Sequence, residues 1–527
     1  MLPCVIFEDD QVLVVDKPAG INTHAPDRFA GEGLYDWLRN REPRWASLAI
    51  IHRLDKETSG VMVFGKTALA NRSLTGQFAK RAVQKTYLLL TDRLVRRDEW
   101  TSRSGIRRMG NRYETCSAPA DGEMAETQFR VLRRNRDHTW LEAKPVTGRT
   151  HQIRVHAAAH GLPILGDVLY GGTPARRVCL HAAKIQFHHP VTREPVVHEI
   201  KASFFASASD GLRTAIADPH ATNCVRLRHG ASDGAPDLYA DRLGDFLLAQ
   251  GRLELADRGG VALLRDIART HGLRGVYIKQ LNRNVCTAKA EETSPRHVLG
   301  ELAADRFVGR ENGVNFELSF NEGYSVGLFL DQRDNRRRFL SGYVAPAFLL
   351  DLKGKEVLNT FAYTCGFSVC AALQGARVTS VDLSKKYLEW GKRNFALNDL
   401  DPAAHDFLYG DVFGWLRRLA RKERAFDAVI LDPPTFSQSK ESGTFRVEKD
   451  YGKLVNAALP LVRSGGVLFA SSNAAGWPPE HFVAEVEKSI RAERRKVLQR
   501  HYAPQPPDFP VSRNEPAYLK TIWLRIQ

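Results

Sequence analysis

From about residue 311 onward, short β-branched runs alternate with helical stretches. Val357-Leu-Asn-Thr-Phe361 reads as a strand, 367–374 as a helix, Val378-Thr-Ser-Val-Asp382 as a strand, 384–397 as a helix and Ala428-Val-Ile-Leu431 as a strand. That alternation implies a doubly wound, mostly parallel sheet, because parallel neighbours need a crossover and the helix supplies it. The first part of the chain follows another pattern. Residues 1–205 carry short apolar runs separated by turn residues, such as Gln11-Val-Leu-Val-Val15, Lys85-Thr-Tyr-Leu-Leu-Leu90 and His151-Gln-Ile-Arg-Val-His156. These read as a mixed α+β domain rich in strands. Residues 206–222, with Ala206-Ser-Ala-Ser-Asp-Gly211 and Asp218-Pro-His-Ala, read as a linker. A small α+β domain is expected over 223–310 and the α/β domain over 311–527.

A chain of 527 residues exceeds one ordinary core, which agrees with several domains. It is 43% hydrophobic and 26% charged, as globular chains are. No apolar run reaches the roughly 18 residues of a membrane span. The start, Met-Leu-Pro-Cys-Val-Ile-Phe-Glu-Asp-Asp, lacks the basic and long apolar regions of a secretion signal, so a cytoplasmic location is expected. Lys and Arg number 76 against 60 acids, a net charge of +16. Such an excess favours a polyanion partner, nucleic acid first. The seven cysteines are scattered without a CxxC pair, which fits reduced thiols and gives no zinc-site spacing. Oligomeric state is left open.

His52-Arg53-Leu54-Asp55-Lys56-Glu57-Thr58-Ser59-Gly60 places one carboxylate, Asp55, among basic residues and before a turn. Positive neighbours favour the ionised form of a carboxylate, and a loop held by strands is a suitable reaction centre. On these residues alone, a solvated surface acid fits equally well.

Four further blocks go with this loop: Asp16-Lys-Pro-Ala-Gly20, Lys85-Thr-Tyr87, Thr147-Gly-Arg-Thr-His-Gln-Ile-Arg-Val-His156 with Pro163-Ile-Leu-Gly-Asp167, and Leu180-His-Ala-Ala-Lys-Ile185. In this order they resemble pseudouridine synthases of the RluA type over about residues 8–200. The resemblance implies an isomerase that turns uridine into pseudouridine without cofactor or metal. Asp55 would be its essential group, by attack on the sugar or by assisting elimination. Tyr87 would lie against the base and help remove the C5 proton, and Arg154 would pair with Asp55. Ile185 would back the target base, and Arg53 and Arg149 would meet RNA. Many relatives carry an RNA-binding domain ahead of this region; none is expected before Asp16, leaving target choice to the remaining chain. His151, His156, His188 and His189 receive no role.

The second set of blocks is Asn359-Thr-Phe-Ala-Tyr-Thr-Cys-Gly-Phe367 after one strand, Asp382 ending the next, Tyr409-Gly-Asp-Val-Phe413 and Leu431-Asp-Pro-Pro-Thr-Phe436. A turn opening onto a helix, followed by an acid at the end of the second strand, is nucleotide-binding logic. With Gly327-Leu-Phe-Leu-Asp-Gln-Arg-Asp-Asn-Arg336, these blocks resemble class I S-adenosylmethionine-dependent RNA methyltransferases, nearest to the RlmI and RlmK enzymes of large-subunit ribosomal RNA. The resemblance implies a Rossmann-like fold and an S-adenosylmethionine site at Asn359, Phe361, Tyr363, Gly366, Asp382, Asp411 and Asp432. Cys365 stands where relatives usually have glycine. Asp432 would also hold the target base and Phe436 would stack on it, with core packing as the alternative for Phe436. Arg333, Arg336, Arg337 and Arg338 are expected on phosphates, or else on a solvated helix face. Asp331 and Asn335 would organise the cofactor pocket.

Carbon-5 methylation of cytosine requires a cysteine thiolate. No cysteine follows Cys370. A base nitrogen is therefore expected, guanine N7 first because Lys386-Tyr-Leu-Glu-Trp390 and the run 432–440 are closest to RlmK, with an exocyclic amine second. The combined expectation is a bifunctional RNA-modification enzyme acting on ribosomal RNA, with transfer RNA also open. The alternatives are one catalytic half with the other as an RNA platform, or a non-catalytic ribosome-assembly protein.

Overall fold

A computed structural model describes residues 2–117, 122–251, 257–280, 294–323, 325–439, 441 and 443–527. Cys286 and Lys440 lie outside them. The chain forms two compact units. One comprises 1–25, 33–39 and 47–218; the other comprises 26–32, 40–46 and 219–527.

The first unit is built on an 11-stranded mixed sheet. Its strand Ser59–Gly65 is buried along its whole length and pairs with Val12–Lys17 on one side and, in parallel, with Leu180–His188 on the other. Two covered faces explain why Ser-Gly-Val-Met-Val-Phe-Gly is a nearly continuous apolar run. At Gly60 (φ +120°) an added Cβ would lie 2.3 Å from the Ala182 carbonyl oxygen, so the strand can start there only as glycine. Gln84–Thr91 continues the sheet and sets Tyr87 opposite Ala182 and Ala143.

Two stretches differ from the sequence reading. His151-Gln-Ile-Arg-Val-His156 alternates like a strand, yet Gln152–Ala159 is a helix with Gln152 to Ala157 all buried. Its polar side chains find internal partners, Gln152 on Thr127 and the Glu126 carbonyl and His156 on Thr127, so no wet face shows in the sequence. Within the expected linker 206–222, Ala208–Ile216 is also a helix. Ser207 caps it by accepting from the Asp210 amide at 3.1 Å, and Leu212 and Ile216 are buried.

The second unit holds two larger sheets. Five strands from Cys224–His229 to Arg296–Gly300 form one. The other has seven strands, in the order Asp406–Tyr409, Arg377–Asp382, Glu356–Thr360, Phe426–Leu431, Val462–Ser472, Lys520–Ile526, Val497–Pro504. The first five run parallel, Lys520–Ile526 runs antiparallel to them, and Val497–Pro504 is antiparallel to Lys520–Ile526. Strand order reverses beside Glu356–Thr360, and ligands of doubly wound sheets bind at the carboxyl ends of strands at such a reversal. No helix among the described residues is long and apolar enough to cross a membrane.

Candidate active sites

In the first unit, Asp55 stands on the loop before Ser59–Gly65 with its side chain 23% exposed. The loop is pinned on both sides of it. Thr23 and Leu54 exchange two hydrogen bonds, the Thr23 hydroxyl donating to the Leu54 carbonyl at 2.9 Å and the Leu54 amide to Thr23 Oγ1 at 3.1 Å. The Lys56 carbonyl accepts from the Gly20 amide at 2.8 Å and from Lys17 Nζ at 3.3 Å. Lys17 is fully buried and also donates to the Pro18 and Ile21 carbonyls. Burial pulls its ammonium down to about 7, with Glu57 and Asp55 resisting.

Arg154 reaches this loop from the helix. Its Nε and Nη2 donate to Asp167 at 2.6 and 2.8 Å. Its Nη1 lies 3.5 Å from Asp55 Oδ2 and 3.3 Å from Glu57 Oε2. Burial opposes the charge, but Asp167, Asp55 and Glu57 outweigh it and hold the guanidinium above its ordinary pKa. Burial, helped by Asp55, pushes the Tyr87 phenol above its ordinary value. Tyr87 is therefore a neutral phenol, not a phenolate.

His52 is not the cation expected beside Asp55. Burial, with Lys85 near, lowers it to about 3. Its Nε2 accepts from the Val63 amide at 3.2 Å and its ring stacks on Phe78 at 4.8 Å. The nearby positive charge comes from Arg154 instead. Arg53 is exposed. Arg149 pairs with Glu123 at 2.9 Å. Ile185 is buried, in register with Lys85.

In the second unit, a cavity of about 720 Å³ opens at the reversal of strand order. Phe361, Tyr363, Gly366, Asp382, Asp411 and Asp432 line it. The loop after Glu356–Thr360 takes positive φ at three alternate residues, Phe361 (+54°), Tyr363 (+48°) and Cys365 (+63°). Left-handed backbone at non-glycine residues stores strain and persists only when its surroundings dictate it. Asp382 does part of this, accepting from the Tyr363 amide and the Ser384 amide, both at 2.8 Å. Cys365 is fully buried, with its sulfur against Gly391, where a Cβ would come within 2.4 Å of it. The thiol thus turns away from the cavity. Asp411 caps the helix Val412–Arg421, accepting from the Gly414 amide at 2.9 Å. Asp432 is raised to about 6 by burial. It accepts from Gln332 Nε2 at 3.0 Å and from Ser471. Behind Gln332, Asn335 donates to its oxygen at 2.8 Å, and Trp523 Nε1 donates to Asn335 at 3.2 Å.

Residues 11–159 match the family model of RNA pseudouridylate synthases, and residues 288–525 match that of S-adenosylmethionine-dependent methyltransferases. A ribosomal RNA large subunit methyltransferase of Deinococcus radiodurans is 34% identical over 316 residues, 58% of this chain and 73% of that protein. The chain belongs to this methyltransferase family and carries an RluA-type pseudouridine synthase domain as well. It is therefore an enzyme of both kinds, an RNA pseudouridine synthase and an S-adenosylmethionine-dependent RNA methyltransferase. A ribosomal large subunit pseudouridine synthase C of Yersinia pestis is 38% identical over 209 residues, 36% of this chain and 63% of that protein. A solved structure described as a putative S-adenosylmethionine-dependent methyltransferase from Streptococcus mutans aligns with a TM-score of 0.50 and 28% identity, over 65% of this chain and 87% of that one.

Several residues of the methyltransferase half depart from the sequence reading. Asn359 is buried beneath the loop, where its Nδ2 donates to Ser368 Oγ at 2.9 Å; it does not line the cavity. The arginines read as phosphate contacts are interior. Arg333 makes two hydrogen bonds, of 2.7 and 2.6 Å, to the fully buried Asp508. Arg336 makes two of 2.7 Å to buried Glu311. Arg337 and Arg338 are buried with them. A guanidinium locked on an internal carboxylate is not free to track a phosphate backbone. Asp331 lines the cavity and accepts from the Tyr518 hydroxyl at 3.0 Å. Phe436 is 45% exposed on the strand Phe436–Ser439, which rules out the core-packing alternative.

Proposed function

We propose that the first unit isomerises a uridine of large-subunit ribosomal RNA through Asp55 and that the second methylates guanine N7 of the same RNA class. For the isomerase, the supporting observation is the pinned Asp55 loop beside an arginine fixed by a second acid. Arg154 holds positive charge beside the Asp55 carboxylate through the reaction. Tyr87 offers a ring face to the base, and stacking of this kind is worth about 1–3 kcal/mol per base. Arg53 and Arg149 contact the RNA strand around the extruded nucleotide, and Ile185 backs it from the sheet.

For the methyltransferase, the cavity that carries the reading has the volume and the acid–turn–helix arrangement that suit a nucleoside cofactor. Asp382 would hold the ribose hydroxyls, Asp411 with Phe361 the adenine end, and Tyr363 and Gly366 the remainder. S-adenosylmethionine supplies an electrophilic methyl group there. Asp432, positioned by Gln332, would accept hydrogen bonds from the guanine, and Phe436 would stack on it. No cysteine lines the cavity among the described residues, which supports direct attack by a ring nitrogen. The domain limits 1–205, 223–310 and 311–527 are part of this proposal, as is a cytoplasmic location.

The test is nucleoside analysis of large-subunit RNA from cells lacking the gene, after incubation with the purified protein and S-adenosylmethionine. Pseudouridine and 7-methylguanosine should both rise. Appearance of N2-methylguanosine instead would replace N7 by the exocyclic amine.

A further inference from the structure

His151 received no role from the sequence, yet its two ring nitrogens face the Tyr170 hydroxyl and Asp55. It precedes the helix Gln152–Ala159 in a left-handed conformation, φ +55° and ψ +16°. Its Nδ1 lies 2.7 Å from the Tyr170 hydroxyl. That hydroxyl oxygen also accepts from the Tyr113 amide at 3.0 Å. With the hydroxyl proton given to Nδ1, the neutral imidazole carries its single proton on Nε2. Nε2 faces Asp55 Oδ2 at 4.0 Å. The Tyr170 ring is held in turn under the Arg154 guanidinium, 5.1 Å from its centre, and the His151 ring meets Tyr113 and Tyr170 edge-on.

We propose that His151 is a positioning residue for Asp55. Its Nε2–H holds Oδ2 together with Arg154 Nη1, which leaves Oδ1 free to act on the nucleotide. The 4.0 Å separation closes on RNA binding, as hydrogen bonds in substrate-free active sites commonly do. The left-handed backbone is the cost of aiming the ring, since a right-handed residue at the start of the helix would direct it elsewhere. The inference rests on Asp55 as the acting group of the isomerase.

Glutamine and asparagine separate this role from a purely backbone one. A glutamine amide places N–H near the position of Nε2, whereas asparagine reaches only as far as Nδ1 but tolerates positive φ better. The full chain is assayed for pseudouridine formation on large-subunit RNA from cells lacking the gene, with a thermal melt of the same preparation as the check of folding. His151→Asn should lower kcat about 100-fold with KM for RNA within about twofold, and His151→Gln should retain activity to within about tenfold. Tyr170→Phe should lower kcat in the wild-type background and have no further effect in His151→Gln, because the tautomer it sets is then absent. Asparagine equal to or better than glutamine, or additive losses with Tyr170→Phe, would overturn the inference. Asp55→Ala run alongside distinguishes the two readings: if it remains active, the role of Asp55 itself has failed.

Discussion

Arg154 binds Asp167 through two nitrogens and holds the third 3.5 Å from Asp55. The arginine is therefore not a free counter-ion of the loop acid. Asp167, 1% exposed, sets where the guanidinium points, and Asp55 and Glu57 receive what remains of its charge.

Replacing Asp167 by asparagine removes the charge that directs Arg154. Loss of an orienting partner behind a functional group typically costs about 10–100-fold, and pseudouridine formation is expected to fall by that much. Methyl transfer by the same protein should be unchanged. Steady-state assays of both reactions on one preparation check this.

On the proposed role of Asp432, methyl transfer should have an acidic pH limb. Burial lifts its carboxyl to about 6, so the hydrogen-bond-accepting carboxylate is lost as pH falls through that value. kcat/KM for methyl transfer should drop about tenfold per unit below pH 6. The stability sign is opposite. The folded value lies above the ordinary one, so the group's stabilising contribution is full below about pH 4 and lost as pH rises through about 6. Asp432→Asn is expected to abolish methylation and to raise the melting temperature at pH 8, as a pH-rate profile and a thermal melt would show.

Cys365 and Gly391 match in size. A Cβ at residue 391 would lie 2.4 Å from the Cys365 sulfur, and the loop bearing that sulfur lines the cavity proposed for the cofactor. Gly391→Ala should weaken S-adenosylmethionine binding by about tenfold or more, since overpacking a filled site costs about 1–3 kcal/mol. Adding Cys365→Gly should restore it. Calorimetric titration of the two variants measures the effect.

Arg333 is expected to act on stability and not on RNA. Removing one partner of a buried ion pair costs about 3–5 kcal/mol, so Arg333→Ala should lower the melting temperature of the second unit. The slope of log affinity against log salt, which counts phosphates neutralised, should stay that of the wild type. RNA binding titrated at several salt concentrations decides it.

What the sequence disclosed depended on how local its causes were. The parallel strands of the second unit were readable because each apolar run lies between turn residues of its own, as at Val378–Asp382. The Asp55 loop was readable because its nine residues are contiguous. Arg333 and Arg336 were not, because the acids that bury them, Asp508 and Glu311, lie 175 and 25 residues away. An arginine run looks the same in sequence whether water or carboxylates surround it. His52 was misread for a related reason: a histidine's charge is set by its burial and by neighbours from other strands, here the Val63 amide that donates to Nε2. The helix Ala208–Ile216 was hidden by its small residues, although Ser207 is a recognisable cap.

On the proposed reading, one chain carries two independent chemistries, one around Asp55 and one around Asp432. The most direct measurement is nucleoside mapping of large-subunit RNA treated with Asp55→Ala and with Asp432→Ala. The first should lose pseudouridine with methylation retained, and the second should lose methylation with pseudouridine retained. Loss of both modifications in either variant, or retention of both, would contradict it.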